Sequence, residues 1–198
     1  MNLIAPLHPE DRAHCHRVAA LSRLLAELTG HGGKELQTIY QSAMLHDIGK
    51  MAIPLDILHK PEPLTAEERA VIQTHAGIGA DMLKRTAPVL PTAAVVARQH
   101  HERLDGSGYL GLREKEIHPH AKLIAVADVF DALISPRPYK GPWSVPSICA
   151  YLDERADIQF DAGVTGTLLS NLDRVLELYR PQKTHKQENA YFMCLYAH

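Results

Sequence analysis

Leu36-Gln-Thr-Ile-Tyr-Gln-Ser-Ala-Met-Leu-His-Asp-Ile-Gly-Lys50 is the stretch that decides the fold class of this chain. Leu36, Ile39, Tyr40, Ala43 and Met44 recur at helical spacing, so they line one face of a helix that packs against a core. The stripe runs directly into His46-Asp47, and Gly49 and Pro54 end the helix soon afterwards. An imidazole and a carboxylate are therefore delivered side by side near a helix C-terminus.

The same period governs the chain on both sides. Val18, Leu21, Leu25 and Leu28 form an earlier stripe, stopped by Gly30 and Gly32-Gly33. Thr65 reads as an N-cap, with Glu67 and Glu68 in the first turn of a helix whose apolar face is Val71, Ile72, Ile78, Met82 and Leu83. His75 lies inside that face. A fourth helix is predicted over residues 92–103, with His100-His101 at its end, and a fifth from near His120 through Phe130, with Asp128 embedded in it. Weaker helical patterns cover residues 145–156 and 163–179. With no alternating β pattern, the fold class is all-α, a bundle of about six to eight helices. One domain is expected over residues 1–181, followed over 182–198 by a polar linker and a short apolar tail.

Composition narrows the functional classes. The 198 residues, 45% of them hydrophobic, are ordinary for one soluble domain, and a net charge of -2 supplies no field for DNA or RNA. Cys15, Cys149 and Cys194 are odd in number and never in a CxxC arrangement, which argues against a disulfide framework and a thiolate metal site. No apolar run reaches membrane-spanning length and the N-terminus lacks signal-peptide features, so the expected location is cytoplasmic, without membrane association.

Around His46-Asp47 fall further residues able to ligate metal: Glu10, His14, His75, His100, His101 and Asp128. Glu10 and His14 are four apart and share a helix face. His75 alone would read as a core histidine satisfied by one hydrogen bond. Asp128 makes a stronger case, because an ionised carboxylate on an apolar helix face is prohibitive unless paired or metal-bound. His100 and His101, adjacent on a helix, diverge by about 100° and so would reach two different ions. Eight such groups are too many for one ion, which points to a cluster of two or three. The remaining histidines, His31 and His120 among them, read as surface residues.

The ordered set His14-x-x-Arg17, Leu45-His-Asp-Ile-Gly-Lys50, His75, His100-His-Glu102, Asp105-Gly-Ser-Gly-Tyr109, Asp128-Val-Phe-Asp-Ala132 and Arg137-Pro-Tyr-Lys140 resembles the HD superfamily of metal-dependent phosphohydrolases. Within it, the set resembles the HD-GYP branch, the bacterial cyclic di-GMP phosphodiesterases. The resemblance implies an HD-type helical bundle holding two or three transition metals, iron or manganese first and zinc next. It implies ligation by His14, His46, Asp47, His75, His100, His101 and Asp128, with Asp47 bridging two ions, and it matches Glu10 to the extra carboxylate of three-metal members. Lys50 corresponds to the lysine beside the nucleophilic water, which with Asp47 makes the catalytic pair. Arg137 and Lys140 correspond to groups that hold the guanylate phosphates. Gly108 and Tyr109 belong to a loop that contacts the guanine or partner proteins.

One departure stands out. Leu110 replaces the family proline, giving the loop more freedom and an extra N–H that must find a partner. The sequence thus predicts hydrolysis of cyclic di-GMP to pGpG, GMP or both. Docking to a cyclase or another signalling protein through the 105–110 loop and a homodimer are compatible additions, and regulation is expected from outside the chain. The alternatives are hydrolysis of another cyclic dinucleotide and a catalytically weak binding or docking module.

Overall fold

The computed structural model of the protein describes residues 3–87, 90–136 and 141–180. These residues are all-α, with no strand beyond two isolated bridges, Asp105 with Arg113 and Ala156 with Phe160. The helices are α1 (Pro9–Leu28), α2 (Gly33–Leu45), α3 (Leu55–Leu58), α4 (Ala66–Thr86), α5 (Pro91–Gln99), α6 (Pro119–Ile134), α7 (Val145–Asp153), α8 (Ala162–Ser170) and α9 (Leu172–Glu177). A 3-10 turn, Ile48–Ala52, carries the chain away from His46-Asp47.

α6 is the central element. Ala121, Leu123, Ile124, Val126, Ala127 and Phe130 are all buried, as expected of a helix that is apolar nearly all round. It packs against α1, which supplies Val18, Leu21 and Leu25, and α2, which supplies Ile39 and Ala43, while Ile148, Leu152 and Leu168 close the core from α7 and α8. A second apolar cluster joins Cys15, Leu45 and Ile48 to Leu83, Ala93, Ala94 and Ala97. On α1 the core changes over between Cys15 and Val18, and on α2 between Ala43 and Leu45. His14 directly precedes Cys15 and His46 directly follows Leu45, so both stand beside the second cluster.

The expected start of α4 is present: Thr65 Oγ1 accepts from the Glu68 N–H at 3.2 Å, and Glu68 Oε2 accepts from the Thr65 N–H at 2.9 Å. Its buried face differs from the apolar stripe. His75, Ala76, Gly79, Ala80 and Leu83 are buried, whereas Val71, Ile72, Ile78 and Met82 are only partly so. The reason is a close backbone approach. A Cβ on Gly49 would overlap the His75 carbonyl oxygen and lie 2.6 Å from the Gly79 amide nitrogen, so small residues must line this contact. The nine α-helices among the described residues exceed the six to eight expected. Four-residue α3 was not foreseen, and the pattern over 163–179 is split at Asn171, where backbone angles of φ -120 and ψ 29 end α8. α5 also stops at Gln99, short of the expected 103. The tail beyond residue 180, with Cys194, lies outside the described residues.

Candidate metal centre

Two groups of ligating side chains converge. Asp47, His75, His100 and His101 offer atoms all within 4.8 Å of one another, and so do His14, His46 and Asp128. Asp47 faces both. Its Oδ1 lies 3.2 Å from His75 Nε2 and 3.5 Å from His100 Nε2; its Oδ2 lies 3.4 Å from His46 Nε2 and 3.6 Å from His14 Nε2. Asp128 Oδ1 completes the second group, 3.2 Å from His14 Nε2. The placement follows from local structure. His46 follows the last residue of α2, Asp47 opens the 3-10 turn, His75 is on the buried face of α4, and His14 and Asp128 face each other where α1 packs on α6.

The other nitrogen of each ring fixes what these atoms can do. His46 Nδ1 lies 2.6 Å from the Ala43 carbonyl, His75 Nδ1 2.6 Å from the Ile72 carbonyl, and His100 Nδ1 3.0 Å from the Ala97 carbonyl. A carbonyl only accepts, so each Nδ1 carries the proton and each Nε2 presents a lone pair. His75 Nε2 and His100 Nε2 then oppose each other at 3.4 Å, while the buried His46 Nε2 and Asp47 Oδ1 have no hydrogen-bond partner among the described residues. Lone pairs and carboxylate oxygens converging on buried space fit a cation, and nitrogen and oxygen donors without thiolate fit a first-row metal. Burial, then neighbouring His100, lowers His101 well below the ordinary histidine range and keeps it neutral, the ligating form. Burial would raise Asp128, but its hydrogen bond to His14 and the His14 charge outweigh that and keep it ionised.

The doublet corrects one expectation. Because α5 ends at Gln99, His100 and His101 do not splay around a continuing helix; their ring centroids are 4.0 Å apart, and His101 lies 4.5 Å from the Tyr109 ring. Gly108 lets the loop approach, since a Cβ there would lie 2.5 Å from Glu102 Cα. Lys50 Nζ is 2.6 Å from Asp47 Oδ2 and 3.5 Å from Asp11 Oδ1. Burial opposes its charge, but the two carboxylates prevail and hold it protonated. Glu10 is not brought into either group. It is exposed in the first turn of α1, on the rim of a cavity of about 1010 Å³ that it shares with His14, Arg17, Lys50 and Asp131. A second cavity, of about 420 Å³, is lined by His100, His101, Tyr109, Arg69 and Arg103. Arg137 and Lys140 lie outside the described residues.

Three supporting residues had no role assigned from sequence. Buried Asp131 accepts from His14 Nδ1 at 2.7 Å and from Arg17 Nε and Nη2 at 2.7 and 3.0 Å. It thereby turns His14 Nε2 toward Asp128 and Asp47. Its signal was present: a second carboxylate, three residues after Asp128, on the same apolar helix. Glu102, also buried, accepts the N–H groups of Leu110 and Leu112 at 2.8 and 2.9 Å. The extra donor at Leu110 has its partner. Asp11, in the first turn of α1, stands beside Lys50.

The set defines a helical domain with a buried histidine and carboxylate centre, and residues 1–164 match the HD domain family; the chain belongs to it. It is 41% identical over 159 residues, 79% of this chain and 42% of that protein, to the cyclic di-GMP phosphodiesterase response regulator RpfG of Xanthomonas campestris pv. campestris. It is 37% identical over 179 residues, 89% of this chain and 34% of that protein, to 3'3'-cGAMP-specific phosphodiesterase 2 of Vibrio cholerae. The chain thus spans less than half the length of these relatives. Among solved structures it resembles Bd1817, an HDG"Y"P protein from Bdellovibrio bacteriovorus, with a TM-score of 0.69 and 26% identity, over 82% of this chain and 52% of that one. No helix among the described residues is long and apolar enough to cross a membrane.

Proposed function

We propose that this chain hydrolyses the phosphodiester bonds of cyclic di-GMP, giving pGpG and then GMP, with two transition-metal ions held by the groups around Asp47. The observation that carries this reading is the two-sided Asp47, whose oxygens each face a separate set of imidazole Nε2 atoms. The imidazole and carboxylate donors suit iron, manganese or zinc, and the resemblance to HD-GYP enzymes puts iron or manganese first. His14, His46 and Asp128 would hold one ion, and His75, His100 and His101 the other, with Asp47 shared. Ions so held supply activation of water at neutral pH and neutralise charge on the phosphate. Glu10, on the cavity rim, is a candidate for a third.

The chain's own groups do the rest. Lys50, kept charged beside Asp47, donates a charge-assisted hydrogen bond to the phosphate as negative charge grows on it. Asp47 and Asp11 hold the lysine in the lining of the larger cavity. Arg69 and Arg103, with Arg137 and Lys140 from the sequence, provide cations for the second phosphate, and Tyr109 offers a ring face for a base. The match to a cyclic di-GMP phosphodiesterase supports this substrate, and the match to a 3'3'-cGAMP-specific enzyme makes that dinucleotide the second reading.

The test is turnover of both dinucleotides by anaerobically purified protein reconstituted with iron or manganese. Faster hydrolysis of cyclic di-GMP is expected. Preference for 3'3'-cGAMP would select the second reading, and no hydrolysis of either by a metal-replete chain would leave a binding module.

A further inference from the structure

A separate cluster lies at the far end of the helices that bear the His14, His46 and Asp128 group. His31, in the turn after α1, Glu35, in the first turn of α2, and His120, in the first turn of α6, offer ligand atoms all within 4.8 Å of one another. Glu35 Oε1 is 3.2 Å from His120 Nε2 and 3.8 Å from His31 Nε2. Three ligands set tetrahedrally at about 2.0–2.2 Å from one ion lie about 3.3–3.6 Å apart. The two spacings to Glu35 bracket that range and the third lies within 4.8 Å, so closure on an ion calls for side-chain adjustment rather than movement of the helices.

His31 already holds the ligating tautomer. His31 Nδ1 lies 3.2 Å from the Ala26 carbonyl and 3.0 Å from Thr29 Oγ1, and Thr29 Oγ1 itself donates to the Leu25 and Ala26 carbonyls. His31 Nδ1 is therefore the protonated nitrogen, and Nε2 faces Glu35 with a free lone pair. His120 is buried rather than at the surface as its sequence context suggests; among the described residues its Nδ1 has no hydrogen-bond partner, and its Nε2 donates to Glu35 Oε1 at 3.2 Å, a proton that an ion would displace. A second imidazole nitrogen thus points at the same carboxylate oxygen.

We infer that His31, Glu35 and His120 form a structural site for a divalent first-row metal, zinc by donor preference, distinct from the Asp47 centre. The donor set, two imidazoles and a carboxylate, is one that zinc takes, with a fourth position left to water. The site cannot share an ion with the catalytic groups: along α2, 1.5 Å per residue puts roughly 16 Å between Glu35 and His46. Its effect is mechanical. Glu35 and His120 belong to α2 and α6, which present His46 and Asp128 further along, and His31 to the turn that follows the His14 helix, so an ion here ties the α1–α2 turn to the start of α6 and fixes the frame of the centre.

Zinc itself is the probe. Crystals of the full chain soaked in zinc chloride and measured on both sides of the zinc absorption edge should show an anomalous peak between His31, Glu35 and His120. In solution, chelator-stripped protein titrated with zinc should bind one equivalent less as His31→Gln or His120→Gln than the unsubstituted chain does, and both variants should keep the zinc bound around Asp47. Partly exposed His31 provides the variant that folds even if His120→Gln does not. No peak at the three residues, or equal zinc stoichiometry in folded His31→Gln, would overturn the inference. A peak with unchanged solution stoichiometry counts against it equally, as binding at crystal concentration only.

Discussion

Asp47 works because its two oxygens answer to different neighbours, and the side chains around it divide into those that face a cation and those that hold others in place. Lys50 belongs to the reacting edge. Lys50→Ala is expected to leave metal content unchanged and to lower turnover of cyclic di-GMP about 100-fold or more at saturating substrate, the scale of one lost transition-state contact. Steady-state kinetics beside metal analysis checks this, and unchanged turnover would remove the lysine from the mechanism. Asp131 acts one step back, through His14. In Asp131→Asn the amide cannot both accept from His14 Nδ1 and keep the two-pronged contact with Arg17. Affinity for the ion beside His14 should fall about 10- to 100-fold. Metal titration reads the change, and an unaltered affinity would show that His14 is oriented by packing alone.

At the scale of elements, two contacts set where the site residues go. The first is Glu102 with the 105–112 loop. Leu110→Pro removes the N–H that Glu102 Oε1 accepts, leaving a buried carboxylate oxygen short of a partner, and is expected to destabilise the chain by about 1–3 kcal/mol in urea unfolding. A stabilised variant would mean that the lost bond is outweighed by the stiffer loop. The second is Gly49 against α4. Gly49→Ala would drive a methyl group into the His75 carbonyl and the Gly79 amide, so it should displace His75 and lower metal content as well as stability. These contacts mark the limit of what the sequence discloses. The apolar period found α1, α2 and α6, and the ligand residues stood out because charges and imidazoles interrupted it. The buried face of α4 was misread because the partner there is backbone, and a stripe of Ala and Gly carries little hydropathy signal. α5 was read too long because helical propensity continues past Gln99, while the chain must turn to bring His101 to Tyr109.

The whole molecule balances buried carboxylates against whatever cation is present, so its stability depends on pH differently with and without metal. In the stripped chain, burial would lower His14, but hydrogen bonds to Asp128 and Asp131 and the Asp128 charge outweigh that and push it up to about 9. A folded value above the unfolded one of about 6.5 means that the proton stabilises the fold fully below about pH 6.5. That contribution is lost as pH rises toward 9, and its size is about 3 kcal/mol at most. Asp128 has the opposite sign: held below its ordinary value by His14, it stabilises above the unfolded carboxylate range and is lost in acid. The two shifts describe one contact and count once. Chelator-stripped protein should therefore be most stable between the carboxylate range and about pH 6.5 and lose thermal stability from there to pH 9. Protein loaded with manganese should show no such loss, because an ion at His14 Nε2 takes the place of the proton. Thermal unfolding of both forms at pH 6, 7.5 and 9 measures this directly. Parallel profiles for the two forms would mean that His14 binds no ion, and would remove the His14, His46 and Asp128 group from the metal centre.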